Sequence, residues 1–317
     1  MRILILKTDR AGDFLNISPV LKNIVLNHPN SKIDVVCSNY NFQIAKYYSC
    51  LNNFFFYQKS LIYFLFNNYK ILFNNYDLIL QLDGKNWSYK LAALLRSPSK
   101  GALQFEKNKK IFKTYFKIFR PFFLSPFFNH LVICKEDYKD INNKNFHYLS
   151  LYLDLLKSFN FKITDTAHYF PYVPSSNDIV ANLPEKYVLF HFGKRWENFL
   201  NKEILLALKN KVIEISINTK CIITSDQDNY LLGEFLNLSK NINIIKNLDM
   251  KHIIYLVKNC SSVISSHSGL IVHSAACFQK NIIDIVPEVS FDELDRWVPL
   301  GSKYLRFSLS QIRKISL

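Results

Sequence analysis

Short runs of consecutive apolar residues recur along this chain: RILIL at 2–6, KIDVVC at 32–37, DLILQL at 77–82, KYVLFHF at 186–192, KCIITS at 220–225, SSVISS at 261–266 and NIIDIV at 281–286. A strand with one face in water alternates apolar and polar residues. A strand that is apolar at successive positions must be covered on both faces, as in a parallel sheet flanked by helices. The segments between the runs carry helical spacing, as in Phe14, Ile17, Leu21, Ile24 and Val25, or in NKEILLALKNKVIEI, DMKHIIYLVKN and GLIVHSAACF. Strand–helix–strand units in this order predict an α/β fold. The pattern lapses over FKITDTAHYFPYVPSSND, which has two prolines and little periodicity, and then restarts. The reading is therefore two doubly wound Rossmann-type domains, residues 1–170 and 171–317, facing a central cleft, with the last helix able to pack back on the first domain. Ligands of such folds bind at the carboxyl ends of the strands.

Between these landmarks the expectations are coarser. Pro19 marks the first true turn of a helix or bends one begun at Asp13. Residues 51–75, aromatic and Asn-rich, read as amphipathic helix, residues 137–160 as helix, SKGALQF as a short strand and NYLLGEFLNLSK as helix. FEKNKKIFKTYFKIFRPFF interleaves Lys and Arg with aromatics. It suits either a basic amphipathic helix over the first domain or, across residues 105–130, docking on an anionic membrane surface. SFDELDRWVPLG, with Trp297, reads as a nucleotide-base cap or as a surface turn.

Composition excludes more than it assigns. The formal charge of +15 favours polyanionic partners, but net charge bears on association and not on chemistry. No nucleic-acid motif accompanies it, and nucleic acid is not an expected partner. The six scattered cysteines contain no C-x-x-C, which argues against a disulfide framework and against zinc; a reducing cytoplasm is the expected compartment. MRILILKTDR lacks a signal-peptide core, and no run reaches the ~20 apolar residues of a spanning helix.

The loop in LKTDRAGDFLNISPVLKNI places Asp9, Arg10, Gly12 and Asp13 between a buried strand and a helix. Only seven glycines occur, and Gly12, Gly84, Gly193 and Gly269 each lie just past a buried strand. Glycine there permits positive φ and close approach to a ligand. The amides of Ser268 and Gly269, opening a helix, make an anion site, and Lys194 and Arg195 follow the first strand of the second half.

Three segments, RILILKTDRAGDFLNISPVLKNI, DLILQLDGKNWSYKLAALL and SSHSGLIVHSAA, resemble the lipopolysaccharide heptosyltransferases of glycosyltransferase family 9. The resemblance runs with gaps from Met1 to about Ile285. It implies a GT-B fold and transfer of a sugar, heptose or another, from a nucleoside diphosphate donor, with an ADP-linked sugar among the alternatives, with inversion, no cofactor and usually no metal. Asp13 falls on the family's catalytic base, which takes a proton from the acceptor hydroxyl. Arg10, Gly12, Asp83, Gly84 and Lys85 would form the acceptor side. Gly193, Lys194, Arg195, His267, Ser268, Gly269 and His273 would hold the donor and its phosphates. The sequence departs from the family in two of these: His267 stands where an Asp is usual, and His273 is four residues after Gly269 instead of three. A glycan or glycolipid acceptor, at the inner face of the cytoplasmic membrane, would be the second substrate. A GT-B epimerase or hydrolase, and a non-catalytic scaffold binding glycan or membrane, are the alternatives.

Overall fold

The structure, a computed structural model, describes residues 1–58, 60–111, 114–120, 124–135, 147–171, 183–225 and 230–316. It divides into two compact units, Met1–Thr166 and Ala167–Leu317.

In the first unit β1 (Arg2–Leu6) leads through α1 (Ala11–Leu15) and α2 (Ser18–Asn27) to β2 (Lys32–Cys37), and α3 (Asn39–Ala45) leads to β3 (Leu51–Phe56). Then come α4 (Leu61–Asn67), a 3-10 turn at Tyr69–Phe73, β4 (Leu78–Gln81), α5 (Asn86–Leu94), β5 (Ser99–Ile111), β6 (Thr114–Arg120), β7 (His130–Lys135) and α6 (Tyr148–Lys157). The strand order is β3-β2-β1-β4-β5, with β7 parallel to β5 and β6 antiparallel to it. Apart from β6, this is a parallel sheet, β3-β2-β1-β4-β5-β7, the 3-2-1-4-5-6 arrangement with β7 in the sixth place.

The second unit repeats that order with every pairing parallel: β10-β9-β8-β11-β12-β13. Its elements are β8 (Tyr187–Phe192), α7 (Lys202–Asn218), β9 (Lys220–Ser225), β10 (Ile242–Ile244), α8 (Met250–Asn259), β11 (Ser262–Ser265), α9 (Gly269–Cys277), β12 (Asn281–Val286), α10 (Phe291–Asp295) and β13 (Tyr304–Ser308). The continuous apolar runs have their explanation here. Val188, Phe190 and Phe192 enter one hydrophobic core, while Tyr187 and Leu189, pointing the other way, enter a second. Ile223 and Ile222, Ile264 and Val263, and Ile283 and Ile282 split the same way. A period of two with both faces buried reads in sequence as no alternation at all.

Several expectations are corrected. Residues 51–56 are a strand and not part of a helix. Asn52 Oδ1 accepts from the Ile33 amide at 2.9 Å where the β2–β3 register shifts, so the asparagine serves the sheet. The basic–aromatic segment after residue 105 is a β-hairpin, with Phe105 opposite Arg120 and Ile111 opposite Thr114, and not a helix. The helix expected over NYLLGEFLNLSK shrinks to a 3-10 turn, Tyr230–Phe235; Gly233 lies within it, and Asn237 adopts a left-handed φ of 59°. β7 and β13 were not expected. Of the helix expected over 137–160, residues 137–146 lie outside the described residues. Pro19 sits in the first turn of α2, after a break at Ile17, so α1 and α2 are separate helices. The segment carrying Trp297 follows the short helix α10, and that side chain is half-buried. All six cysteines are free of disulfides. Among the described residues no helix is long and apolar enough to cross a membrane.

Candidate functional site

In each unit the connections turn to opposite sides at the first strand of the sheet, which makes its carboxyl end the natural ligand edge. In the first unit that edge lies between β1 and β4. Lys7, the first residue past β1, is wholly buried; its ammonium donates to Asp9 Oδ2 at 2.6 Å, to Tyr152 Oη at 2.9 Å and to the Leu82 carbonyl at 3.2 Å. Burial opposes its charge, but Asp9, then Tyr152 and Asp13, outweigh that and push its pKa up. The cation is retained because removing it would leave Asp9 without its close partner.

Asp83 is held from four directions. It accepts from Thr8 Oγ1 at 2.7 Å, Gln81 Nε2 at 2.9 Å, the Lys85 amide at 3.1 Å and Ser88 Oγ at 2.5 Å. Burial, and after it the charge of Asp9, raises its pKa above the usual carboxylate range. Lys85 Nζ donates to the Thr8 carbonyl at 2.9 Å and lies 3.7 Å from Asp9 Oδ1. Asp83 and Lys85 thus tie the end of β4 to the end of β1. Gly84 has φ 63°, the left-handed conformation its position required.

Asp13 is the third residue of α1 and half-buried. One carboxylate oxygen, Oδ2, accepts from the Arg10 amide at 3.1 Å, and the other has no partner among the described residues. Arg10 itself is exposed. Gly12 does not form the turn ascribed to it: it lies buried within α1, with helical backbone. The sequence reading passed over Lys7, Thr8, Ser88 and Tyr152. A lysine directly after an apolar strand was a legible signal, whereas Tyr152 reaches Lys7 across 145 positions.

In the second unit the corresponding edge lies between β8 and β11. Gly193 (φ −72°) is followed by a 3-10 turn, Lys194–Asn198, that buries Trp196 and leaves Arg195 exposed. The Lys194 side chain lies outside what the structure describes. Ser268 occupies the N-cap of α9 without making a side-chain cap, so the first amides of α9, Gly269 included, are not satisfied by that hydroxyl.

His267 departs from expectation in an informative way. It is a non-glycine residue at φ 51°, and it is only 4% exposed. Asp284, on the neighbouring β12 and wholly buried, accepts from the His267 amide at 2.7 Å and pairs closely with His267 Nδ1. It also accepts from Tyr304 Oη at 2.6 Å and Ser265 Oγ at 3.3 Å. Tyr304 Oη in turn accepts from Arg306, whose guanidinium pairs with Asp295. Burial works against the Asp284 charge, but His267 and the hydrogen bonds from His267 and Tyr304 prevail and hold its pKa below the usual range. A histidine anchored through Nδ1 offers its Nε2 to a ligand. That atom has no partner among the described residues. His273 is buried on α9 with its ring stacked on His168 at 5.3 Å, a packed position and not a presented one. Among the described residues no group of three or more His, Cys, Asp or Glu is arranged to hold a metal ion.

No protein-family profile matches this sequence, and no curated protein matches it. Solved structures do resemble it. The E. coli heptosyltransferase WaaC with ADP is 15% identical, with 98% of this chain and 96% of that one covered at a TM-score of 0.69. A family 9 glycosyl transferase from Veillonella parvula is 12% identical, with coverage of 97% and 85% and a TM-score of 0.72. The UDP-GlcNAc 2-epimerase of Methanocaldococcus jannaschii is 14% identical, with coverage of 99% and 92% and a TM-score of 0.55. At such identities the likeness is one of fold: the chain has the α/β architecture of GT-B glycosyltransferases and epimerases, heptosyltransferases among them.

Proposed function

We propose that this chain is an inverting glycosyltransferase that moves a sugar from a nucleoside diphosphate to a hydroxyl of a lipopolysaccharide-type or other cell-surface glycan, without a metal. The observation that carries this reading is Asp13: one oxygen is fastened to the Arg10 amide, and the other stands without a partner among the described residues at the carboxyl edge of the sheet. That oxygen takes the acceptor's proton as the acceptor oxygen forms its bond to the anomeric carbon. The bond from that carbon to the diphosphate breaks, and the electron pair leaves with the phosphate.

The departing charge falls to Lys194, Arg195, the opening amides of α9 and His267. Asp284 holds His267 through Nδ1, which leaves Nε2 to meet a phosphate oxygen. An imidazole thus replaces the carboxylate usual at this place, which points the residue toward the diphosphate and not toward sugar hydroxyls. An adenine nucleotide is the first donor to try, since the similar E. coli heptosyltransferase WaaC was solved with ADP and with ADP-2-deoxy-2-fluoro heptose.

Calorimetric titration with nucleoside diphosphates and their sugars, ADP-heptose included, with and without Mg²⁺, tests the proposal. Micromolar binding of one nucleotide without metal, weakened by Lys194→Ala, supports it. Silence across the panel rejects it. The likeness to an epimerase favours one competitor, a nucleotide-sugar epimerase or hydrolase. Product analysis separates the two, because only a transferase consumes an acceptor.

A further inference from the structure

The segment from α4 through the following 3-10 turn has the wrong surface for a helix lying on a sheet. Phe64 and Ile71 are fully buried in the core of the first unit, with Leu61, Leu65 and Leu72 packed partly against it. The outward positions are apolar too. Ile62 is 83% exposed, Phe66 82% and Phe73 79%, and Tyr63 and Tyr69 are also exposed. Ile62 and Phe66 are four residues apart on α4, so they share a face. A helix apolar all round is normally buried on every side. Single exposed apolar residues need no explanation, but five within twelve positions form a patch of the kind that marks an interaction site.

The polar groups around the patch are occupied locally. Ser60 Oγ accepts from the Tyr63 amide at 3.3 Å and caps α4. The side chains of Asn67 and Asn68 donate to the Tyr63 and Phe64 carbonyls at 2.9 and 3.0 Å, which closes the end of the helix. The backbone here is satisfied by the segment itself, so the patch offers rings and aliphatic chains and little hydrogen-bonding specificity. That composition suits a hydrocarbon boundary better than a peptide groove.

Charge selects the kind of boundary. From Val35 to Tyr76 the sequence has three lysines and no acidic residue, and the chain as a whole carries +15. Lys70 lies in the 3-10 turn itself and is exposed. Exposed apolar side chains beside Lys70, in a stretch of sequence without carboxylates, match an anionic bilayer surface. We infer that α4 and the turn Tyr69–Phe73 insert Ile62, Phe66 and Phe73 into the headgroup boundary of an anionic membrane and hold the protein there peripherally. This needs no nucleotide sugar and stands apart from the reading of the catalytic site. It also locates membrane contact in a segment other than the basic hairpin of β5 and β6.

The experiment is co-sedimentation of the full chain with vesicles of phosphatidylethanolamine containing about 30% phosphatidylglycerol, and with vesicles of phosphatidylcholine alone. The wild type should partition onto the anionic vesicles and much less onto the neutral ones. The triple variant Ile62→Ser, Phe66→Ser, Phe73→Ser should partition at least roughly tenfold less, because three side chains no longer leave water. All three are exposed, so its melting temperature should match the wild type. Phe66→Trp keeps the patch and serves as an independent reporter: its emission should move to shorter wavelength when anionic vesicles are added. Equal partitioning of the triple variant, a wild type that stays in the supernatant, or an unmoved tryptophan emission each overturns the inference. So does a wild type that sediments as a dimer, is made monomeric by the triple substitution and ignores vesicles, since the patch would then be covered by a second copy.

Discussion

The residues at the two strand edges differ in what they can be asked to do. Asp83 accepts four hydrogen bonds and braces the loop, whereas Asp13 has one oxygen held and one to spare. Asp13→Asn should therefore lower turnover by about 10²–10⁴-fold, the usual worth of a general base, and leave nucleotide affinity unchanged. Single-turnover rates beside calorimetry test this, and an unimpaired Asn variant removes Asp13 from the chemistry. Asp284 acts through His267. Asp284→Asn should weaken nucleotide binding and cost about 3 kcal/mol of stability at neutral pH, because a buried pair loses one member. The sign with pH follows from its lowered pKa. The stabilisation is complete above the ordinary carboxylate range and is lost as pH falls through the lower folded value. Denaturant titrations of wild type and variant should thus converge only below about pH 4. A gap that survives acidification unchanged would contradict the lowered pKa of Asp284.

At the scale of elements, the buried Asn23 joins α2 to the segment after α6, where Asn27 and Lys22 also bond it. Asn23 donates to the Pro19 carbonyl at 2.8 Å and to the Asp165 carbonyl at 2.5 Å, and its Oδ1 accepts from the Thr164 amide at 2.8 Å. Asn23→Ala leaves those groups unpaired and should cost about 2–3 kcal/mol in equilibrium unfolding. A loss under half a kcal/mol would mean water replaces the amide without penalty. Elements also show where local reading reaches its end. The runs KYVLFHF and NIIDIV announce strands because burial on both faces leaves no alternative pattern. LNNFFF did not, because its asparagines look like helix-end or loop residues until Asn52 is seen bonding Ile33 across a shifted register. The 3-10 turn at Tyr230–Phe235 kept the spacing of a helix but not its length.

At the scale of the molecule, each unit has its own sheet and its own buried clusters. The donor residues proposed here, Lys194, Arg195, His267 and the opening amides of α9, and Asp284 behind His267, all belong to the second unit. Residues 167–317 expressed alone should therefore fold and retain nucleotide binding within about tenfold of the full chain, while residues 1–166 should not bind. Calorimetry on the two fragments decides this, and a nucleotide bound only by the first unit would relocate the donor site. The sequence by itself determined the α/β class, the repetition of the design in two halves, and the placing of Asp13, Gly84 and Gly269 after buried strands. These are properties of periodicity and of neighbours along the chain. Only the tertiary structure decided that Asp83 is a brace, that Gly12 sits within a helix, that His267 answers to Asp284, and that Ile62, Phe66 and Phe73 face outward. Each of those depends on contacts, or on the lack of them, between positions far apart in sequence, and no local pattern encodes which distant group will arrive.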